Sequence, residues 1–275
     1  MPQAPAHRSR VFASPWAGVF GTHIDSARHY GRHSHATYGF GLIEDGAQRS
    51  ASGRGRVDAV AGDVITTNPG EVHDGQPLGG PSRRWRMVYL QPQALAALLG
   101  QSCDGVEITQ PVIHDPLLHA ALRKLLDGME SGPVGDLSLL AGEESLVHAL
   151  GRLMNSHSTA RPEPSVAADM RRVRQRLADD WLNAPSLAEL ASIDGLSRYQ
   201  VLRRFQKTFG VPPHAWLLQH RAEHAWNLIQ AGTGLAEAAA SCGFADQSHM
   251  TRIFTRHFGF TPGAWQRAVA VQALQ

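Results

Sequence analysis

The feature that most constrains the fold of this chain is a unit written twice near its end. Phe205, Phe209-Gly210, Pro213 and Ala215-Trp216 recur 49 residues later as Phe254, Phe258-Gly259, Pro262 and Ala264-Trp265, and Arg203 falls on Arg252. Upstream the offset is 48: Leu187-Ala188-Glu189 matches Leu235-Ala236-Glu237, Ala191 matches Ala239 and Gly195 matches Gly243. The extra residue of the second copy lies in a turn, where Gly195-Leu196-Ser197 becomes Gly243-Phe244-Ala245-Asp246. A fixed period with a single turn insertion is the mark of a duplicated supersecondary unit.

Each copy reads as helix, tight turn, helix. Ser186-Leu187-Ala188-Glu189 is a capping box preceded by Pro185, so a helix starts there. Gly195 closes it, since glycine takes the left-handed backbone of a helix end. Ser197 with Gln200 caps the second helix, and Asp246 takes that position in the other copy. Val201, Phe205 and Phe209, like Met250, Phe254 and Phe258, recur every four residues and form an inward stripe. The opposite face carries Tyr199, Leu202, Arg203 and Gln206, matched by Ser248, Thr251, Arg252 and Thr255. A short helix with such a face fits a DNA major groove.

The segment from Gly243 to Phe254, followed by Gly259-Phe260-Thr261-Pro262, resembles the signature of the AraC/XylS (arabinose-regulator type) transcription factors. The match covers about the last 105 residues. It implies an all-α domain of two helix-turn-helix units over residues 168–275, joined by a linker helix near Ala215 to Ala231, that binds a double-stranded DNA operator. The family's base-reading positions fall on Tyr199, Leu202 and Arg203, then on Gln247, Ser248, Thr251 and Arg252. Leu202 departs from the commoner polar residue, which points to an apolar contact such as a thymine methyl. Lys207, one turn on, is placed to meet phosphate. The resemblance also implies a homodimer, with RNA polymerase as a candidate further partner.

Composition supports a polyanion-binding second half. The net charge is +2, but residues 168–275 carry +4 and residues 1–167 carry −2. Arginine outnumbers lysine 24 to 2 throughout, so the asymmetry is modest support. Cys103 and Cys242 lack metal-type spacing, and with no secretory leader or membrane-length apolar run the chain is expected in a reducing cytoplasm.

The first half is written differently. Short β-type runs at Gly18–Phe20, Tyr38–Ile43, Arg56–Val60, Asp63–Thr67 and Trp85–Leu90 are separated by turn signals such as Glu44-Asp45-Gly46 and Asn68-Pro69-Gly70. Such spacing argues a β-barrel or sandwich, with residues 1–10 loose. His33-x-His35, Gly46, Gly62-Asp63 and Pro69-Gly70-Glu71-Val72-His73 resemble the cupin-like sensor barrel of the same family, over residues 1–92. Flanking helices are expected at Gln93–Leu99, Pro116–Met129 and Leu137–Met154 within a packing or dimerisation segment, 93–155, and a linker at 156–167. On the last helix Leu139, Leu140, Val147, Leu150 and Met154 form a stripe that either packs on the barrel or pairs with a second subunit.

His33 and His35, two apart on a strand, point to one side. Three readings of His33, His35 and His73 stay open: a small-molecule effector pocket completed by Tyr38 and Trp85, a metal site, or purely structural side chains. The carboxylate that cupin enzymes place soon after such a histidine pair is missing from Ala36-Thr37-Tyr38-Gly39-Phe40, so no metal or cofactor is assigned. No nucleophile motif or phosphate loop occurs. The expectation is a two-domain α and β protein, a DNA-binding regulator and not an enzyme, answering an effector of unidentified structure. The rival reading is a metal-dependent cupin enzyme fused to a DNA-binding tail.

Overall fold

The computed structural model describes residues 7–100, 102–132, 135–160 and 170–272, with side chains as far as Arg267. Two compact units divide the chain: residues 1–133 with 142–167 and 196–200, and residues 134–141 with 168–195 and 201–275. Among the described residues no helix is long and apolar enough to cross a membrane, and neither Cys103 nor Cys242 forms a disulfide.

The first unit holds two antiparallel sheets. One runs β1 (His7–Ala13), β2 (Val19–Ser26), β9 (Arg83–Leu90), β4 (Tyr38–Asp45), β7 (Val64–Thr67), β10 (Val112–Ile113) in spatial order; the other runs β3 (Tyr30–His33), β8 (His73–Pro77), β5 (Ala47–Ser52), β6 (Gly55–Val60). All five runs expected as strands are strands. Residues 7–10 are not loose: they belong to β1, paired with β2 from His7 opposite Ser26 to Ala13 opposite Phe20. Residues 1–6 lie outside the described residues.

Strand β9 shows why the layers form. Period-2 alternation sends Arg83, Trp85, Met87 and Tyr89 to one face and Arg86, Val88 and Leu90 to the other. The second face meets helix α2 (Pro116–Ser131), where the Arg86 guanidinium binds Asp127 Oδ1 at 2.7 Å and Glu44 Oε1 at 2.5 Å. Helix α1 (Pro92–Leu99) follows β9. Asp115 caps α2 by accepting from Leu117 and Leu118 N–H and also holds Arg152 and His157 of α3 (Asp136–His157). Beyond α3, Ser158 bridges to Ile108 and Thr159 N–H donates to Glu107, so residues 156–160 of the expected linker are tied down. Residues 161–167 of it lie outside the described residues. Leu140, Val147, Leu150 and Met154 are buried within the single chain, and Leu139 is half-buried.

The second unit is helical: α4 (Met170–Asp179), α5 (Leu187–Ser192), α6 (Arg198–Phe209, whose residues 198–200 count with the first unit), α7 (Pro213–Gln230), α8 (Leu235–Ser241), α9 (Gln247–Phe258) and α10 (Pro262–Gln272). The caps are those the sequence announces. Ser186 and Glu189 form the reciprocal box, Ser197 and Gln200 exchange bonds of 3.0 and 3.1 Å, and Asp246 accepts from His249 N–H. The linker helix starts at Pro213, two residues earlier than expected, because proline suits the first helical turn. Its Leu218, Ala222, Ala225 and Ile229 pack with Ala238, Ala239, Phe244, Met250 and Phe254 of the second copy.

At the middle of α7 sits Arg221, 2% exposed. Its Nε donates to Trp181 O at 2.8 Å, Nη2 to Leu182 O at 2.9 Å and Nη1 to Gly243 O. One guanidinium thus ties the segment before α5, the linker helix and the turn of the second copy.

Candidate functional site

The two sheets of the first unit enclose a cavity of about 220 Å³. Each wall is built by alternation: Arg83, Trp85, Met87 and Tyr89 from β9, Gln48, Ser50 and Ser52 from β5, Val57 and Ala59 from β6. A cavity of about 150 Å³ holds a benzene ring, so this one has room for a molecule of roughly one ring with its substituents.

His33 and His73 stand directly opposite each other on β3 and β8, with ring centroids 4.5 Å apart. His35 lies 5.0 Å from the first ring and 5.3 Å from the second, and 5.5 Å from the Tyr89 ring. All three line the cavity. Nδ1 of His33 lies 2.7 Å from Gly31 O, and Nδ1 of His73 lies 2.9 Å from Glu71 O. A carbonyl only accepts, so in each contact Nδ1 is the donor. Burial, then the neighbouring His73 and His33, hold the pKa of His35 below its ordinary value.

Sequence reasoning missed Arg83. It is 2% exposed, with its Nε on Gln48 Oε1 at 3.1 Å and Nη1 on Arg28 O at 3.0 Å. Its guanidinium lies 4.7 Å from the Trp85 ring and 5.6 Å from the Tyr30 ring. No carboxylate among the described residues comes within ion-pair distance, and Nη2 has no hydrogen-bond partner among them. That nitrogen lies beside Gly75, another wall residue. Burial pulls the Arg83 pKa down. The only advance signal was its period-2 spacing with Trp85, because arginine on a strand reads first as surface.

Of the five expected pocket residues, His33, His35, His73 and Trp85 are brought together and Tyr38 is not. Tyr38 is 3% exposed and its hydroxyl donates to Val106 O at 2.6 Å, away from the cavity wall. On β4 it alternates to the other side of the sheet.

Of the expected DNA contacts, Arg203 and Lys207 of α6 and Gln247, Ser248 and Arg252 of α9 are exposed and Thr251 is half-buried; Tyr199, half-buried in the first unit, accepts from Asn155 Nδ2 of α3. Leu202 is the exception. At 5% exposure it belongs to the interior, so the expected contact to a thymine methyl is not available from it.

Comparison with known proteins agrees with this division. A family model described as an AraC-like ligand binding domain matches residues 17–146, and one described as a helix-turn-helix domain matches residues 190–268. An uncharacterised HTH-type transcriptional regulator of Bacillus subtilis, YbfI, is 27% identical over 83% of this chain and 86% of its own length. The HTH-type transcriptional activator RhaS of Escherichia fergusonii is 28% identical over 61% of each chain. A crystal structure of a probable AraC family regulator from Rhodopseudomonas palustris covers 36% of this chain and 95% of its own, at 28% identity and a TM-score of 0.35. With a ligand-binding barrel model and a helix-turn-helix model in the order its two units predict, the chain belongs to the AraC-type DNA-binding transcriptional regulators.

Proposed function

We propose that the cavity between the sheets is the effector site of this regulator, and that its effector is an organic anion of about one ring. The observation that carries the reading is Arg83. A buried guanidinium without an acidic partner costs several kcal/mol of desolvation, and an unoccupied Nη2 at a cavity wall offers a carboxylate a charge-assisted hydrogen bond. Trp85 and Met87 supply the apolar wall for the rest of the molecule. The test is thermal shift of the full chain against benzoate-sized acids and their neutral amides. A ligand of the folded state raises Tm, and the acids should do so while the amides do not. Neutral compounds that shift wild type and Arg83→Met equally overturn the anionic reading.

For DNA we infer that Arg203 and Arg252 read base edges, with Tyr199, Gln247, Ser248 and Thr251 on the same faces, and that Lys207 meets phosphate. Arg252→Ala is expected to cost about 1–3 kcal/mol and relax sequence preference locally, whereas Lys207→Ala weakens all sequences alike and lowers the salt slope by about 1. Selection on randomised DNA checks the first and salt titration by fluorescence anisotropy the second; an unchanged consensus with Arg252→Ala removes α9 from base reading. A homodimer, a contact with RNA polymerase and a cytoplasmic location complete this reading on family likeness. Sedimentation of the 29.8 kDa chain as a single-chain species at all concentrations would remove the dimer.

A further inference from the structure

The linker helix α7 carries two histidines one turn apart, His220 and His224, and positions four apart on a helix share a face. Their rings stand at 90° with centroids 4.7 Å apart, and their Nε2 atoms lie 3.3 Å from each other. A tetrahedral Zn²⁺ with Zn–N bonds of about 2.0–2.1 Å holds two nitrogens about 3.3 Å apart. The pair therefore has the bite of one ion without moving. A tryptophan seats each ring: Trp181 stacks on His224 at 4.1 Å and 2°, and Trp216 on His220 at 5.1 Å and 18°. Rings already held in place lose little freedom on binding. Behind His220 stands a carboxylate, with Glu223 Oε2 3.7 Å from Nδ1. Its other oxygen lies 3.7 Å from Nε2 of His257 on α9. A carboxylate on the far nitrogen of an imidazole is the usual outer support of a metal-bound histidine. All these residues belong to the helical unit, and both histidines are half-buried, so an ion can reach them from solvent. Burial, then His224, holds the pKa of His220 below its ordinary value, and an imidazole neutral at pH 7 offers a metal less competition from protons.

We propose that His220 and His224 form a Zn²⁺ site on the linker helix, each giving Nε2, with water in the two remaining tetrahedral positions. Imidazole nitrogens select a borderline ion over Mg²⁺ or Ca²⁺, which want oxygen. The spacing selects further. A square-planar ion such as Cu²⁺ needs neighbouring nitrogens about 2.8 Å apart, so the observed bite suits a tetrahedral ion better. An ion held across one turn of α7 binds only the folded helix, so it stabilises the unit that this helix joins together.

The experiment uses the full-length, tag-free protein, stripped of metal with a chelator, dialysed at pH 7.5 and titrated with ZnCl₂ by calorimetry beside His220→Phe and His224→Phe. Phenylalanine keeps a ring against each tryptophan and removes the nitrogens. The chain has 15 histidines, so the readout is the difference from wild type. Each variant should take up one ion per chain fewer, or bind that ion at least about 10-fold more weakly, the lower end of what losing even an outer partner costs a metal site. Melting curves show whether the variants fold. If neither does, the wild type decides alone: Zn²⁺ should protect His220 and His224 from modification by diethyl pyrocarbonate, read by mass spectrometry. Zn²⁺ uptake by both folded variants equal to wild type in number and affinity overturns the site. So does equal modification of the two histidines with and without Zn²⁺.

Discussion

Arg83 in the barrel and Arg221 in the helical unit are equally buried, 2% exposed each, and they teach opposite lessons. Arg221 spends its donors on three backbone carbonyls from three separate segments. It is a fastener, and each of its three nitrogens already has a backbone partner. Arg83 has two partners and an unoccupied corner at a cavity wall. In both, burial lowers the pKa of the guanidinium, so depth alone does not separate structure from function. Saturation of the donors does.

The comparison can be broken most readily at Arg221. Replacing it with Met strands three carbonyls, each worth about 1–3 kcal/mol when left unpaired, less what water recovers. Arg221→Met is therefore expected to lose about 3–5 kcal/mol in urea unfolding of the full chain. Arg221→Lys should restore little of this, because an ammonium cannot span three divergent acceptors. A loss below 1 kcal/mol would mean the fastener is idle.

The next effect lies in acid. The Arg152 guanidinium, then His157 and the Leu118 N–H, hold the Asp115 carboxyl well below the usual carboxylate range. A depressed carboxylate pKa contributes stability that is present above its unfolded value, near 4, and is lost as pH falls towards the folded value. Tm should thus drop as pH falls below about 4. Asp115→Asn should cost about 1–2 kcal/mol at pH 7, through the lost cap and charge-assisted bonds, and flatten the acid limb. An acid limb as steep as wild type in that variant would transfer the effect to other groups.

The smallest effect is at Arg83. Arg83→Met gives up two hydrogen bonds but also relieves a buried, uncompensated charge, so unfolding should change by about 1 kcal/mol or less while anion binding disappears. A loss as large as that of Arg221→Met would erase the distinction between the two arginines.

What the sequence showed and hid follows the same physics. The helical unit was legible because its signals are local: Ser186 with Glu189, Ser197 with Gln200 and Asp246 each announce a helix within four residues, and the repeat confirms them. The outer barrel strands were not. Ala47–Ser52 is half-buried along its whole length and Ala-Gln-Arg-Ser-Ala-Ser has no apolar alternation; His73–Pro77 contains Gly and Pro. These strands supply polar side chains to the cavity wall, among them Gln48, Ser50, Ser52 and His73, so the alternation that marks a strand over a greasy core is absent from them. Tyr38 misled for the converse reason. It follows His35 closely in sequence, but the pleat of β4 turns it away. Leu202 lies on the helical face that reads as groove-facing, and burial removes it. Arg83 and Arg221 were invisible because arginine is rarely buried, and only three-dimensional partners reveal why these two are.

The duplicated turns carry a last consequence, for how such a protein can be recombined. Gly195 and Gly243 share a left-handed backbone, φ 63° and 68°, so both turns disfavour a side chain. A Cβ on Gly195 would meet nothing within 4 Å, whereas one on Gly243 would lie 3.1 Å from the Arg221 guanidinium. The two copies descend from one pattern and are no longer interchangeable parts. At its turn, the first can be exchanged with a relative's unit on the backbone's terms alone. The second travels only with glycine at its turn and with the arginine of the preceding helix, so a crossover placed between α7 and α8 separates a matched pair.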